Sequence, residues 1–100
     1  MTENQTMSEV TIRIPAPLRN FTGGADEVRV QGSTVREALE SLGTAHQGLL
    51  AQVTDADGNV RRFVNVYLQD RNVAAVGGLD AEVPEGAVIS IIPAVAGGAR

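Results

Sequence analysis

Val10, Ile12 and Ile14 alternate with Thr11 and Arg13, the period of a half-buried strand that Pro15 stops. Residues 16–25 carry Pro17, Gly23 and Gly24 and read as a turn or loop. Val28 and Val30 resume the alternation, so a second strand is expected to fold back on the first as a hairpin. The period then changes. Gly32-Ser33 breaks the strand, and Thr34-Val35-Arg36-Glu37 has the residues of a capping box. In that motif the Thr34 hydroxyl and the Glu37 carboxylate satisfy the orphan N–H groups of a helix start. Val35, Ala38, Leu39 and Leu42 follow at helical spacing as one apolar stripe, with Gly43 as the expected stop. A second, shorter helix is predicted over 45–52, burying Leu49 and Leu50.

Asp55-Ala56-Asp57-Gly58-Asn59 is turn chemistry. The next strand is Phe63-Val64-Asn65-Val66-Tyr67-Leu68, with Val64, Val66 and Leu68 on one face and Phe63, Asn65 and Tyr67 on the other. Alternation alone does not say which face meets the helix. Gln69-Asp70-Arg71-Asn72 turns the chain, Val73 is expected in a very short strand, and Gly77-Gly78-Leu79 and Val83-Pro84-Glu85-Gly86 are further turns. Val88-Ile89-Ser90-Ile91-Ile92 is almost continuously apolar, as expected of a strand covered on both sides. That strand should lie centrally, beside the first. The order strand, strand, helix, short helix, strand, short strand, strand predicts an α+β fold with a mixed sheet packed on one main helix.

The chain has 100 residues, enough for one domain and one modest core. With 3% aromatics and no Trp, that core should be aliphatic. The expected organisation is a disordered N-terminus over 1–8, a domain over 9–93, and a flexible tail over 94–100. The formal net charge of -4 and the scattered arginines argue against a nucleic-acid binder and for a protein partner with a basic groove. The polar, acidic start resembles neither a signal nor a transit peptide, and no apolar run reaches membrane-spanning length. A cytoplasmic protein, monomeric when free, is expected. There is no Cys, so any sulfur chemistry must use a group other than a thiol side chain. There is also no Lys. A genome rich in G and C, which favours Arg, accounts for that first; protection of an activated acyl group from nearby amines is the functional alternative.

Ordinary catalytic constellations fail. His46 is the single His and has no Cys partner. Asp55 and Asp57 before Gly58 imitate the start of a calcium loop, but position twelve of that loop, which needs a bidentate Glu, is Val66. Gly23-Gly24 and Gly77-Gly78 lack the spacing and the Lys of a phosphate loop. Arg61-Arg62 is either a partner contact or the solvated start of a strand. No catalytic residue, metal ligand or bound cofactor is expected.

What remains is the tail, Pro93-Ala94-Val95-Ala96-Gly97-Gly98, in which every residue is small or Pro and none is charged. Residues 94–98 extended would reach roughly 17 Å from the domain. Two consecutive glycines lack Cβ atoms and can thread a narrow channel. A frayed terminus accounts for the same composition.

Context favours the working tail. Arg62-Phe63-Val64-Asn65-Val66-Tyr67, Gly78-Leu79, Pro84-Glu85-Gly86 and Ile91-Ile92-Pro93-Ala94-Val95-Ala96-Gly97-Gly98 resemble the MoaD/ThiS family of ubiquitin-like sulfur carriers, and within it the CysO-type branch. Val10-Thr11-Ile12-Arg13-Ile14-Pro15 and Leu18-Arg19-Asn20-Phe21-Thr22-Gly23-Gly24 are similar too, so the resemblance spans residues 9–98. It implies a β-grasp fold and a carrier that is not itself an enzyme. It also implies that an E1-like enzyme, using ATP, adenylates the Gly98 carboxylate, and that sulfur displaces AMP to leave a thiocarboxylate. Pro93, Ala94, Val95, Ala96 and Gly97 would be read by the partners, with Arg62, Phe63 and Tyr67 as a partner surface. For the CysO-type branch the acceptor would be a cysteine synthase-like enzyme; molybdopterin, thiamin and natural-product routes would use the same tail.

One departure matters: Gly98 is followed by Ala99-Arg100, so its carboxyl group is held in a peptide bond. The expectation is that a JAMM-type metalloprotease removes the two residues. Otherwise they are a leftover of recombinant expression, or the chain has lost the carrier role. A protein modifier joined to other proteins through Gly98, and a β-grasp interaction module with an idle tail, are the competing readings.

Overall fold

The computed structural model describes residues 8–62 and 64–93. Strand β1, Ser8–Arg13, pairs antiparallel with β2, Glu27–Gly32, in a register that sets Val10 opposite Val30 and Ile12 opposite Val28. The predicted hairpin is therefore present, with Val10 and Ile12 fully buried. The segment expected as plain loop is ordered further, into a 3-10 helix over Ala16–Thr22. Pro17 near its start fixes a helix-compatible backbone angle, and the Leu18 N–H donates to the Pro15 carbonyl at 2.9 Å. Gly23, with φ of 70°, ends it in the left-handed conformation that a side chain would disfavour.

The main helix, α1, is Val35–Ala45, and it buries the predicted stripe of Val35, Ala38, Leu39 and Leu42. Its cap is the expected one in half. The Glu37 N–H donates to Thr34 Oγ1 at 3.2 Å, but the Glu37 carboxylate reaches past Thr34 and accepts from the N–H and hydroxyl of Ser33 at 2.8 and 2.6 Å. Those two bonds, the hydroxyl's first, hold the Glu37 carboxyl below the usual carboxylate range.

Gly43 does not stop the helix. It lies inside α1, where an added Cβ would come within 2.8 Å of Leu50 Cβ. The glycine thus lets α1 meet the second helix, α2, which is Leu49–Val53. That helix is shorter than predicted because α1 runs on to Ala45, and Gly48, with φ of 93°, turns the chain before Leu49. Leu49 and Val53 are fully buried, whereas Leu50 is half-buried. Gly32 marks a second close approach. A Cβ there would lie 2.6 Å from the Ala38 backbone nitrogen.

Strand β3 is Val64–Leu68, β4 is the two residues Arg71–Asn72, and β5 is Val88–Pro93. The sheet order is β2-β1-β5-β3-β4, with β5 parallel to β1 and antiparallel to β3. Val73, expected in the short strand, instead begins a 3-10 turn just after it, and Gly78–Asp80 forms another. Strand β5 is central as predicted, but it is not covered on both faces. Ile89 and Ile91 are buried against the helix layer, while Ile92 on the opposite face is 44% exposed. The buried residues of β5 lie on one face only, so the apolar run reflects that core face plus a half-buried Val88 and an exposed Ile92 on the other. Val66, at 1% exposure, settles the orientation of β3: its valines face the core, and Asn65 and Tyr67 face outward. The result is a β-grasp fold with a mixed five-stranded sheet wrapped on α1.

Candidate functional site

The tail leaves from Pro93, the last described residue and the last of β5. Pro93 sits opposite Val64 of β3, which secures one side of the root. The other side is different. Parallel pairing with β1 covers Thr11 with Val88, Ile12 with Ile89 and Arg13 with Ser90, and goes no further. Pro15 has ended β1, so residues 91–93 of β5 border an open groove of about 330 Å³. Ile14, Ile91, Ile92 and Pro93 line it together with Arg13 and Arg19.

The charges at this end are lightly engaged. Arg13 Nε lies 3.9 Å from Glu27 Oε2, and both side chains are more than half exposed. Such a pair contributes little in water. Arg19 donates its Nε–H to the Ile14 carbonyl at 3.0 Å, which fixes its side chain beside the strand end.

The predicted partner residues are only partly gathered. Arg62 is exposed and precedes Val64, so it belongs to the tail end of the sheet. Tyr67 is half-buried on the open face opposite Ser90, three residue pairs along from Pro93, or roughly 10 Å away. Phe63, Ala94, Val95, Ala96, Gly97, Gly98, Ala99 and Arg100 lie outside the described residues. Arg13, Arg19 and Ile92 were not singled out from the sequence. The signal existed: counting in twos from Ser90 puts Ile92 on the polar face, and Arg13 alternates with the buried Ile12.

The discarded constellations look structural. His46 closes α1, its N–H donating to the Leu42 carbonyl at 2.9 Å. Asp55 is a turn residue whose carboxylate accepts from the N–H groups of Asp57 and Asn59 at 2.9 and 3.1 Å. Among the described residues there is no group of His, Cys, Asp and Glu that could hold a metal ion. None of their helices is long and apolar enough to cross a membrane. What the described residues offer is a fixed strand end and a groove beside it.

Comparison with known proteins agrees with that description. Residues 12–98 match the ThiS family. The sulfur carrier protein CysO of Mycobacterium tuberculosis (strain H37Rv) is 37% identical over 91 residues, covering 89% of this chain and 98% of that protein. Small archaeal modifier protein 3 of Haloferax volcanii is 35% identical over 66 residues, 66% of this chain and 71% of that protein. A chain in the crystal structure of the Amycolatopsis orientalis BexX/CysO complex superposes with a TM-score of 0.83 at 43% identity, covering 89% of this chain and 99% of that one. With the match running from the middle of β1 through the two glycines of the tail, the chain belongs to the ThiS/MoaD family and is a sulfur carrier protein, not an enzyme.

Proposed function

We propose that the chain carries sulfur on the carboxyl group of Gly98, and that it is a precursor until Ala99 and Arg100 are removed. The observation that carries this is the place where β5 ends. A strand held in the middle of the sheet delivers Pro93 to one end of the domain, and five small, uncharged residues follow it up to Gly98. Such a segment can enter a narrow enzyme channel while the domain stays outside.

The chemistry runs in two steps on partner enzymes. The Gly98 carboxylate attacks the α-phosphate of ATP on an E1-like enzyme and expels pyrophosphate. A sulfide equivalent then attacks the acyl carbon, AMP leaves, and a thiocarboxylate remains. A carboxylate is a poor electrophile, and the mixed anhydride supplies its leaving group. ATP is thus consumed by the partner, in the cytoplasm, and the carrier needs no cofactor. A JAMM-type zinc metalloprotease would expose Gly98. The acceptor would be a cysteine synthase-like enzyme, since a CysO protein is among the relatives. Another biosynthetic acceptor is the competing destination, because a relative has been crystallised in a complex with BexX.

Intact mass of the protein recovered from its native cell tests the reading. The expected species lacks Ala-Arg and has one oxygen replaced by sulfur. Thiocarboxylation of a chain that still ends in Arg100 would overturn the trimming step. A second reading, a modifier joined to target lysines through Gly98, draws on the relative named as a small archaeal modifier. High-mass adducts that vanish when Gly97 and Gly98 are deleted would favour it over the carrier.

A further inference from the structure

The formal charge of -4 conceals an uneven distribution. Arg13, Arg19 and Arg62 stand around the strand ends from which the tail departs, outnumbering, among the described residues, the two carboxylates there, Asp26 and Glu27 at the start of β2. The carboxylates of Glu9 and Glu85 belong to the opposite end of the sheet, where Glu85 accepts from the Glu9 N–H at 3.2 Å. Asp70, in the turn between β3 and β4, and Glu82, bridged to Thr34 just after β2, are at that far end too. The net charge suggests a basic partner surface, but the surface that must meet a partner first is the basic end.

We propose that the groove beside residues 91–93 receives an extended acidic segment, with apolar residues between its carboxylates, from the enzyme that takes the tail. The walls fit both features. Ile92, 44% exposed, and the half-buried Pro93 offer apolar surface. Arg13 and Arg19 offer guanidinium groups, and a guanidinium fork matches a carboxylate in shape as well as charge. The Arg13 pair with Glu27 is long and solvated, so an incoming carboxylate displaces little. Complementary charge here would orient the carrier as it approaches, tail foremost. The identity of the partner rests on the carrier reading; the chemistry of the groove does not.

The test uses the full chain labelled with nitrogen-15 and two synthetic peptides, Asp-Leu-Asp-Leu-Asp-Leu and the same sequence with Lys for Asp. The acidic peptide is expected to shift amides of residues 13–19 and 90–92, and to bind several-fold more weakly in about 0.5 M salt. Arg13→Glu is expected to weaken it about fivefold or more. Arg29→Glu, the same charge change on an exposed β2 residue outside the groove, should alter it less than about twofold. Equal binding of the Lys peptide, shifts centred elsewhere, or no shifts with about 5 mM acidic peptide would each overturn the proposal. None of these outcomes depends on sulfur loading, so failure here would leave the role of Gly98 to be judged by mass.

Discussion

Glu37 shows how far a residue's role can be read in advance. The Thr34 to Glu37 spacing announces a helix start, and the Thr34 bond is where the motif puts it. The carboxylate goes to Ser33 instead, where the N–H and the hydroxyl both donate to it. Its folded pKa is lowered, so the stability it adds is present above its unfolded pKa and disappears as pH falls through the lowered folded value. Thermal melts should therefore fall off more steeply for the native chain than for Glu37→Gln between about pH 5 and pH 3. Gly32 and Gly43 were less legible. Gly32 ends β2 as expected and Gly43 does not stop α1, but what sequence does not show for either is that elements touch there. Gly32→Ala should cost about 3 kcal/mol in urea unfolding, because the new Cβ meets rigid α1 backbone. Gly43→Ala should cost less, about 1 kcal/mol. Its clash is with a half-buried Leu50 side chain, and better helix propensity offsets part of the overpacking.

At the scale of elements, periodicity located β1, β2, β3 and β5, set the two-residue β4 just too late at Val73, and misjudged what covers the last strand. A run of Val and Ile looks the same whether a second layer exists or a single exposed Ile interrupts the pattern. The register decides it, since Ile91 stands opposite the buried Val66 and Ile92 opposite the outward Asn65. Ile91→Ala should accordingly destabilise the domain by about 2–4 kcal/mol, and Ile92→Ala by less than about 1 kcal/mol. Chemical denaturation of the two variants, followed by circular dichroism because the chain lacks Trp, checks the difference. The 3-10 helix after β1 was hidden for another reason. Pro and Gly mark a departure from strand and helix periods without saying whether the segment between them coils tightly.

For the molecule as a whole, the pairing of β1 with β2 and the central place of the last strand beside β1 followed from sequence, and the groove at the end of that strand did not. That groove needs the parallel register of β1 and β5, a contact between segments about 80 residues apart that local patterns do not encode. The pairing of β5 with β3 reaches Pro93, and on the proposed reading trimming acts on reactivity. A chain ending at Gly98 should unfold within about 0.5 kcal/mol of the chain ending at Arg100. Only the shorter one should accept the adenylate, as intact mass after incubation with the activating enzyme and ATP would reveal.

The place of β5 between β1 and β3 also fixes an order of events during synthesis. The hairpin and α1 are made first, and β3 with β4 next, yet these pieces share no strand pairing until residues 88–93 emerge and join them. The last strand in the described order is the one that closes the sheet, and the glycines follow it in the chain after three residues. A nascent or misfolded chain thus has no fixed root from which to offer its end. On the proposed reading, closing the sheet comes before any presentation of Gly98, and removal of Ala99 and Arg100 follows it.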